Sequence, residues 1–321
     1  MQRIESIVTV GLNPAIDRII EVPNFEVGGH QRGKQLSRYP AGKALNVGRA
    51  LAVLDRPSIV TGFVGEEDAW EFERFIADMP HRRVTSQLLH VAERTRENIT
   101  VVDPETHVET HIRDAGFTVN DRDIDRVTSK LGLLARPGTL MAFCGSLPPG
   151  LAPATFGRLV RACLDVGAAV AVDTSGDALA AVKGLPLWLI KPNADELGAL
   201  VGREPAGEAE NAEAAAEVAR TVSMVLVSLG ESGARLVTED QRLAAEVDPP
   251  IEPANTVGCG DCLLAGFIDG WLAGGDAEWA LRRGVAAATA NAVALTTGNF
   301  TEENVSRFAD ITSIREWTPT T

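Results

Sequence analysis

The run Asn255-Thr256-Val257-Gly258-Cys259-Gly260-Asp261-Cys262 places two glycines and a carboxylate where a loop turns into a helix. Pro250 and Pro253 precede it and oppose regular structure. Beyond it, Leu264, Phe267, Ile268 and Trp271 recur at helical spacing. The first N–H groups of a helix lack intrahelical partners, and the macrodipole adds positive potential, so such a junction attracts anions. Asp261 is then either a cap for those N–H groups or a base held beside an anion site. Two other patterns compete. A dinucleotide fingerprint needs a third glycine where Leu263 stands, so it fails. Cys259-x-x-Cys262 has redox spacing, and a thiol at a helix N-terminus tends toward a lowered pKa and ready oxidation. That pair, however, usually opens a helix early in a small domain.

Other stretches carry chemistry at the ends of apolar runs. Asp17 closes Asn13-Pro14-Ala15-Ile16-Asp17, where a carboxylate can accept from sugar hydroxyls or simply sit in a turn. Ala41-Gly42-Lys43-Ala44-Leu45-Asn46 opens a helix, with Gly42 permitting close ligand approach. Lys43 stands against the macrodipole's preference, as it would if it met an oxyanion. Arg96-Glu97-Asn98 offers a guanidinium fork and an amide that could clamp a phosphate. In Cys144-Gly145-Ser146-Leu147-Pro148-Pro149-Gly150, Gly145 and Ser146 offer donors within a loop that two prolines stiffen. Lys191-Pro192-Asn193-Ala194-Asp195-Glu196 reads as a capping box between Asn193 and Glu196, or as hard oxygen ligands that hold magnesium through water. The glycines of Ser228-Leu229-Gly230-Glu231-Ser232-Gly233-Ala234 could let a nucleotide lie against the backbone. Gly28–Gln35 nearly matches a P-loop but ends in Gln35 where Ser or Thr must hold magnesium, with Pro40 close behind.

These residues need a frame. Strand-like runs at Ile4–Gly11, Ser58–Val64, Thr139–Cys144, Ala169–Asp173, Leu187–Lys191 and Val222–Leu229 alternate with helical segments. The helical segments are Ala44–Leu54, Ala69–Asp78, Ile124–Leu134, Ala154–Val166, Ala194–Val201, Glu208–Thr221 and Ala277–Leu295. The alternation predicts an α/β fold, a mostly parallel sheet with helices on both faces and ligands at the strands' carboxyl ends. Arg18–Tyr39 and a hairpin of Glu97–Val102 with His107–Arg113 break the pattern. They predict a small projecting sheet, either a lid or a dimer surface. No internal repeat or low-complexity tract is evident.

Bulk properties bound the rest. A chain of 321 residues can bury a large core. A hydrophobic fraction of 45% and a mean hydropathy of +0.02 suit a soluble globular protein. A net charge of -14 argues against nucleic acid and anionic membranes as partners, yet allows a local basic pocket. No stretch is long and apolar enough to span a bilayer, and Met1 to Gly11 lacks a signal peptide's apolar core. Four cysteines in this length fit a reducing, cytoplasmic setting. Zinc is disfavoured because no second Cys or His pair has ligand spacing.

The six strand-end motifs together resemble the PfkB/ribokinase family of carbohydrate kinases, and within it the 1-phosphofructokinase and tagatose-6-phosphate kinase branch. Asn13–Asp17, Ala41–Asn46, Gly145–Gly150, Lys191–Glu196, Ser228–Gly230 and Asn255–Asp261 follow the family's order and cover nearly the whole chain. The resemblance implies one ribokinase-like kinase domain over residues 1–321, its lid formed by segments about 14–40 and 95–114. It implies Asp261 as catalytic base, with Gly258, Cys259 and Gly260 as the anion hole. Asp17, Gly42, Lys43, Asn46, Arg96, Asn98 and Ser146 would bind the acceptor. Lys191, Asn193, Ser228, Gly230, Gly233 and Asn291 would bind ATP, with Asn193 and Glu196 linked to Mg2+ through water. The implied reaction is phosphorylation of fructose 1-phosphate to fructose 1,6-bisphosphate. Tagatose 6-phosphate or another sugar is the alternative acceptor, and a non-catalytic sugar-phosphate sensor is the non-enzyme alternative. A homodimer joined through the lid is a further implication.

The chain departs from the branch pattern twice. The usual Gly-Gly-Lys-Gly is Ala41-Gly42-Lys43-Ala44, so two methyls are expected near the sugar. The usual Gly-Ala-Gly-Asp-Ser is Gly258-Cys259-Gly260-Asp261-Cys262, in which thiols nearly match the replaced groups in shape.

Overall fold

Every residue of the strand Thr139–Cys144 is buried, and its side chains divide between two cores. Met141 and Phe143 join one cluster; Leu140, Ala142 and Cys144 join the other. A strand behaves this way when helices cover both faces of its sheet. The computed structural model, which describes residues 3–106, 108–274 and 276–317, shows that arrangement.

The chain begins with β1 (Ser6–Gly11), β2 (Ala15–Glu21) and β3 (Lys34–Ala41), then enters α1 (Lys43–Val53). Next come β4 (Ser58–Gly65), α2 (Ala69–Ala77), β5 (Val84–Val91), β6 (Arg96–Asp103), β7 (Val108–Arg113) and α3 (Asp121–Leu134). The middle holds β8 (Thr139–Cys144), α4 (Pro153–Asp165), β9 (Ala169–Asp173), α5 (Gly176–Ala180), β10 (Leu189–Ile190), α6 (Ala194–Val201) and α7 (Gly207–Val218). The last third holds β11 (Val225–Ser228), β12 (Ala234–Val237), β13 (Arg242–Val247), α8 (Cys259–Gly274), α9 (Ala277–Ala292), α10 (Glu302–Asp310) and β14 (Thr312–Glu316).

The main sheet runs β14-β13-β12-β11-β10-β9-β8-β1-β4-β5, parallel from β11 to β5. Residues of α3 to α7 pack on one face; those of α1, α8, α9 and α10 pack on the other. After β1 the chain adds β4 and β5 on one side and β8 on the other. That reversal opens a crevice at the carboxyl ends of β1 and β8, the usual ligand position in such sheets.

The alternating pattern does not anticipate the antiparallel end formed by β12, β13 and β14. The cause is chain length. Only the short turn Leu229–Gly233 separates β11 from β12, whereas a parallel return needs a crossover of about a dozen residues. Strand β5 also goes unread, because Val84–Val91 mixes polar and apolar residues at the sheet's edge.

The second sheet runs β3-β2-β6-β7. It draws on both segments expected to project, although His107, the expected first residue of the hairpin's second strand, lies outside the described residues. The near P-loop runs straight into β3, not into a helix.

Helix α8 carries Asp261 in its first turn and is buried from Asp261 through Gly270. It crosses α9 closely. A Cβ on Gly266 would lie 2.5 Å from the Arg283 carbonyl oxygen, nearer than atoms can pack. Buried Asp269 locks the pair, accepting from Arg283 Nε at 2.9 Å and from Arg56 Nε at 2.5 Å. A buried carboxylate of this kind needs such partners. The start of α8 is therefore fixed from behind.

Candidate active site

Gly258 begins the junction with φ +76°, a conformation that L side chains rarely adopt. A Cβ there would lie 2.3 Å from Thr297 Cγ2. The helix's hydrogen bonds start with Asp261 N and Cys262 N, both donating to the Gly258 carbonyl. The N–H groups of Gly258, Cys259 and Gly260 thus precede the first internal bond, as an anion hole requires. Thr297 Oγ1 and Asn291 Nδ2 donate to the Val257 carbonyl, and Gly298 N donates to Asn291 Oδ1. The loop is braced before any ligand arrives.

Asp261 does not cap. Its recorded side-chain partner is Asn46, whose Nδ2 donates to Oδ2 at 2.8 Å. Asn46 reaches it from α1, the helix that Gly42 opens. Lys43 Nζ donates to Asp173 Oδ1 at 2.7 Å, and Lys191 Nζ lies 3.3 Å from Asp173 Oδ2. Asp173 is fully buried at the end of β9. Lys191 also faces the junction: a Cβ on Gly260 would come within 3.3 Å of its Nζ. Two carboxylates and two ammonium groups thus meet beside the start of α8.

Burial pushes the Asp261 carboxyl up, and the Asp173 charge pushes it further; Lys43, Asn46 and Lys191 pull it down, leaving it at about 7. Burial opposes the Lys43 charge, but Asp173 and Asp261 outweigh burial and hold that ammonium above the ordinary lysine range. A carboxyl near 7 can take and release protons at neutral pH. Were Asp261 to serve as a general base, it would work only when ionised, and kcat/KM should rise with pH below about 7 and level off above it. Asn46→Ala removes a group that favours the ionised form, so the bend should move up. Asp173→Asn removes one that disfavours it, so the bend should move down. Opposite shifts in measured pH profiles are expected; shifts in one direction would contradict the assignment.

The larger of two adjoining cavities, about 700 Å³, is lined by Asp17, Gly42, Lys43, Asn46, Arg96, Asn98, Ser146, Lys191, Asn193, Glu196, Ser228, Gly258, Gly260 and Asp261. The smaller, about 360 Å³, is lined by Ser228, Gly230, Gly233, Thr256, Cys259, Gly260 and apolar side chains that include Ile251, Val285 and Ala288. Ser228, Thr256 and Gly260 border both, so the junction is the wall between them.

The structure refines several expectations. Lys191 and Asn193 line the larger cavity, and Asn291 lines neither, because its amide is spent beneath the loop. Ala44 lines the larger cavity against Gly11, while buried Ala41 does not border it, so only one of the two methyls expected near the sugar borders that cavity. The redox expectation is corrected. Burial pushes both the Cys259 and Cys262 thiols up, and Cys262 has no exposed surface. Desolvation outweighs the helix terminus here and disfavours the reactive thiolate.

Asn193 and Glu196 form the capping box: Asn193 Oδ1 accepts from Glu196 N at 2.8 Å, and Glu196 Oε2 accepts from Asn193 N at 2.9 Å. Glu196 also lines the larger cavity. On the lid, Asn98 Nδ2 donates to Asp17 Oδ1 at 2.9 Å. Burial raises the Asp17 carboxyl despite Asn98 and the charges of Arg113 and Arg96. Sequence reasoning passed over Asp173, although a carboxylate closing an apolar strand at its carboxyl end was a usable signal. It also passed over Arg113, which lies on an exposed strand with no motif around it.

Residues 4–304 match the family model described as "pfkB family carbohydrate kinase". The chain is 36% identical over 269 residues to a 1-phosphofructokinase of Rhodobacter capsulatus, covering 82% of each. It is 32% identical over 287 residues to a 1-phosphofructokinase of Bacillus subtilis, covering 89% of this chain and 92% of the relative. Among solved structures, the phosphofructokinase-2 of Escherichia coli in complex with potassium superposes with a TM-score of 0.88 at 25% identity, over 97% of this chain and 99% of that one.

Proposed function

The chain belongs to the pfkB family of carbohydrate kinases, phosphotransferases that act on an alcohol group, and we propose that its reaction is transfer of the ATP γ-phosphoryl group to fructose 1-phosphate. The observation that carries this reading is the position of Asp261. It is a buried carboxyl with a pKa of about 7, and it stands at a helix N-terminus whose glycines wall two cavities.

In this reading the sugar phosphate lies in the larger cavity. Asp17 and Asn98 bind hydroxyls, and Arg96 and Ser146 face the phosphate. ATP lies in the smaller cavity with its triphosphate toward Gly258–Gly260. Asp261 takes the proton from the attacked hydroxyl as that oxygen bonds to the γ-phosphorus, while the bond from that phosphorus to the β,γ-bridging oxygen breaks and ADP leaves. Lys43 and Lys191 hold positive charge beside the transferring group. Such catalysis is chiefly positioning and electrostatics.

Magnesium fits the donor set in one manner. Among the described residues no group of three or more His, Cys, Asp or Glu side chains is arranged to hold a metal directly. Glu196 and Asn193 would instead hold a hydrated ion through water, which suits magnesium's reluctance to lose its shell. When bound, it would neutralise charge on the ATP phosphates.

The lid offers exposed Leu36, Val108 and Ile112, and a lid-to-lid homodimer would cover them. The acceptor is tested by ADP release with fructose 1-phosphate, tagatose 6-phosphate and unphosphorylated fructose. The highest kcat/KM is expected with fructose 1-phosphate. A higher value with tagatose 6-phosphate would reassign the acceptor.

A further inference from the structure

The lid's strand register builds a row of polar groups that no sequence motif announced. Asp17 on β2 pairs with Asn98 on β6, and Asn98 pairs with Arg113 on β7. All three line the larger cavity, as does Arg96, two residues before Asn98 and on the same face of its strand.

Arg96 is largely spoken for. Its Nε donates to the Pro14 carbonyl, Nη1 to the Asp114 carbonyl, and Nη2 to the Asn13 carbonyl and to Ser146 Oγ. A guanidinium has five N–H donors, so one remains. One N–H cannot make the two-pronged contact by which arginine grips a phosphate. Arg113 is the opposite case. Among the described residues it has no recorded hydrogen bond or ion pair, and its whole fork is free.

The two guanidinium groups also oppose each other. Burial, then the charge of Arg113, holds Arg96 below the ordinary arginine range. The charges of Asp17 and Asp114 offset this only in part, and Arg96 stays below the ordinary arginine range. Asp17 is committed to Asn98 and, like Asp114, makes no recorded ion pair with either arginine. A dianion between the two cations would relieve it.

We propose that Arg113 is a specificity-determining residue that supplies the fork for the acceptor's phosphoryl group, while Arg96 contributes its one remaining N–H and mainly ties the lid to the loop after β1. The assignment rests on the kinase reading above. It would favour a phosphorylated acceptor, because a neutral sugar brings no charge to offset what repulsion remains between Arg96 and Arg113.

The test is titration calorimetry of fructose 1-phosphate into wild type, Arg113→Ala and Arg113→Lys without ATP, together with steady-state kinetics. Arg113→Ala should weaken binding and raise the sugar-phosphate KM by about 10- to 100-fold, the effect of losing hydrogen bonds to a charged group. Its kcat and ATP KM should stay within about threefold of wild type. Arg113→Lys should recover part of the loss, since it restores charge without the fork. Any turnover of unphosphorylated fructose should be unchanged in Arg113→Ala. Affinity of Arg113→Ala within about twofold of wild type, with an unchanged melting temperature, would overturn the assignment, as would an equal loss with fructose. Weakened binding in Arg113→Ala, alongside a wild type that binds the sugar phosphate but shows no turnover, would uphold Arg113 and overturn the kinase reading instead.

Discussion

Asp261→Asn should lower kcat by about 10²- to 10⁴-fold, the range for removal of a general base. Asparagine keeps the side chain's shape, and its amide oxygen can still accept from Asn46 Nδ2. KM for both substrates should therefore change little. The variant separates the two readings of this carboxylate. Asparagine caps helices as well as aspartate does, so a purely structural Asp261 would lose almost nothing. The observed bonding already favours the base, since the recorded partner of Asp261 is the Asn46 amide, not the N–H groups of its own helix. Steady-state kinetics with a melting temperature for each protein makes the comparison. Removing a buried charge that sits beside Asp173 should leave the variant as stable as wild type or more so.

The second large effect is expected at Gly258. Gly258→Ala meets two obstacles at once: the residue holds φ +76°, and the new methyl would lie 2.3 Å from Thr297 Cγ2. The loop must shift, and its N–H groups would leave the positions from which they are proposed to hold the transferring phosphoryl. Losing one such donor typically costs about 10²- to 10³-fold in kcat, and a comparable loss is expected here. Thr297→Ser separates the obstacles. It deletes Cγ2 yet keeps the hydroxyl that donates to the Val257 carbonyl at 3.0 Å. The double variant should recover part of the loss, and what remains measures the left-handed backbone. An equal deficit in single and double variants would show that contact with Thr297 is not the cause.

The strand-end residues were legible because each sat in a short run at the close of an apolar strand, and the α/β frame implied that such ends converge. Gly258, Asp261, Lys43 and Asn46 meet for that reason. What escaped belonged to no motif and draws its meaning from residues distant in sequence. Asp173 gains its meaning from two lysines that arrive from α1 and from the end of β10. Arg113 gains its meaning from β6, through strand register. The acidic net charge of the chain gave no hint of this local cluster of cations. The lowered thiol pKa expected of Cys259 and Cys262 is not met, because spacing says nothing about desolvation, which raises both thiols. The antiparallel sheet end was missed because it depends on a turn too short for a crossover, a matter of chain length more than of pattern.

In the proposed reaction a buried base beside an anion hole moves phosphate onto a sugar phosphate. Its most direct test is ADP release by the wild-type protein with ATP, magnesium and fructose 1-phosphate, with the sugar product quantified in the same samples. The account predicts ADP release that depends on the sugar, with fructose 1,6-bisphosphate formed in equal amount. ADP release that no tested sugar or sugar phosphate increases would contradict it.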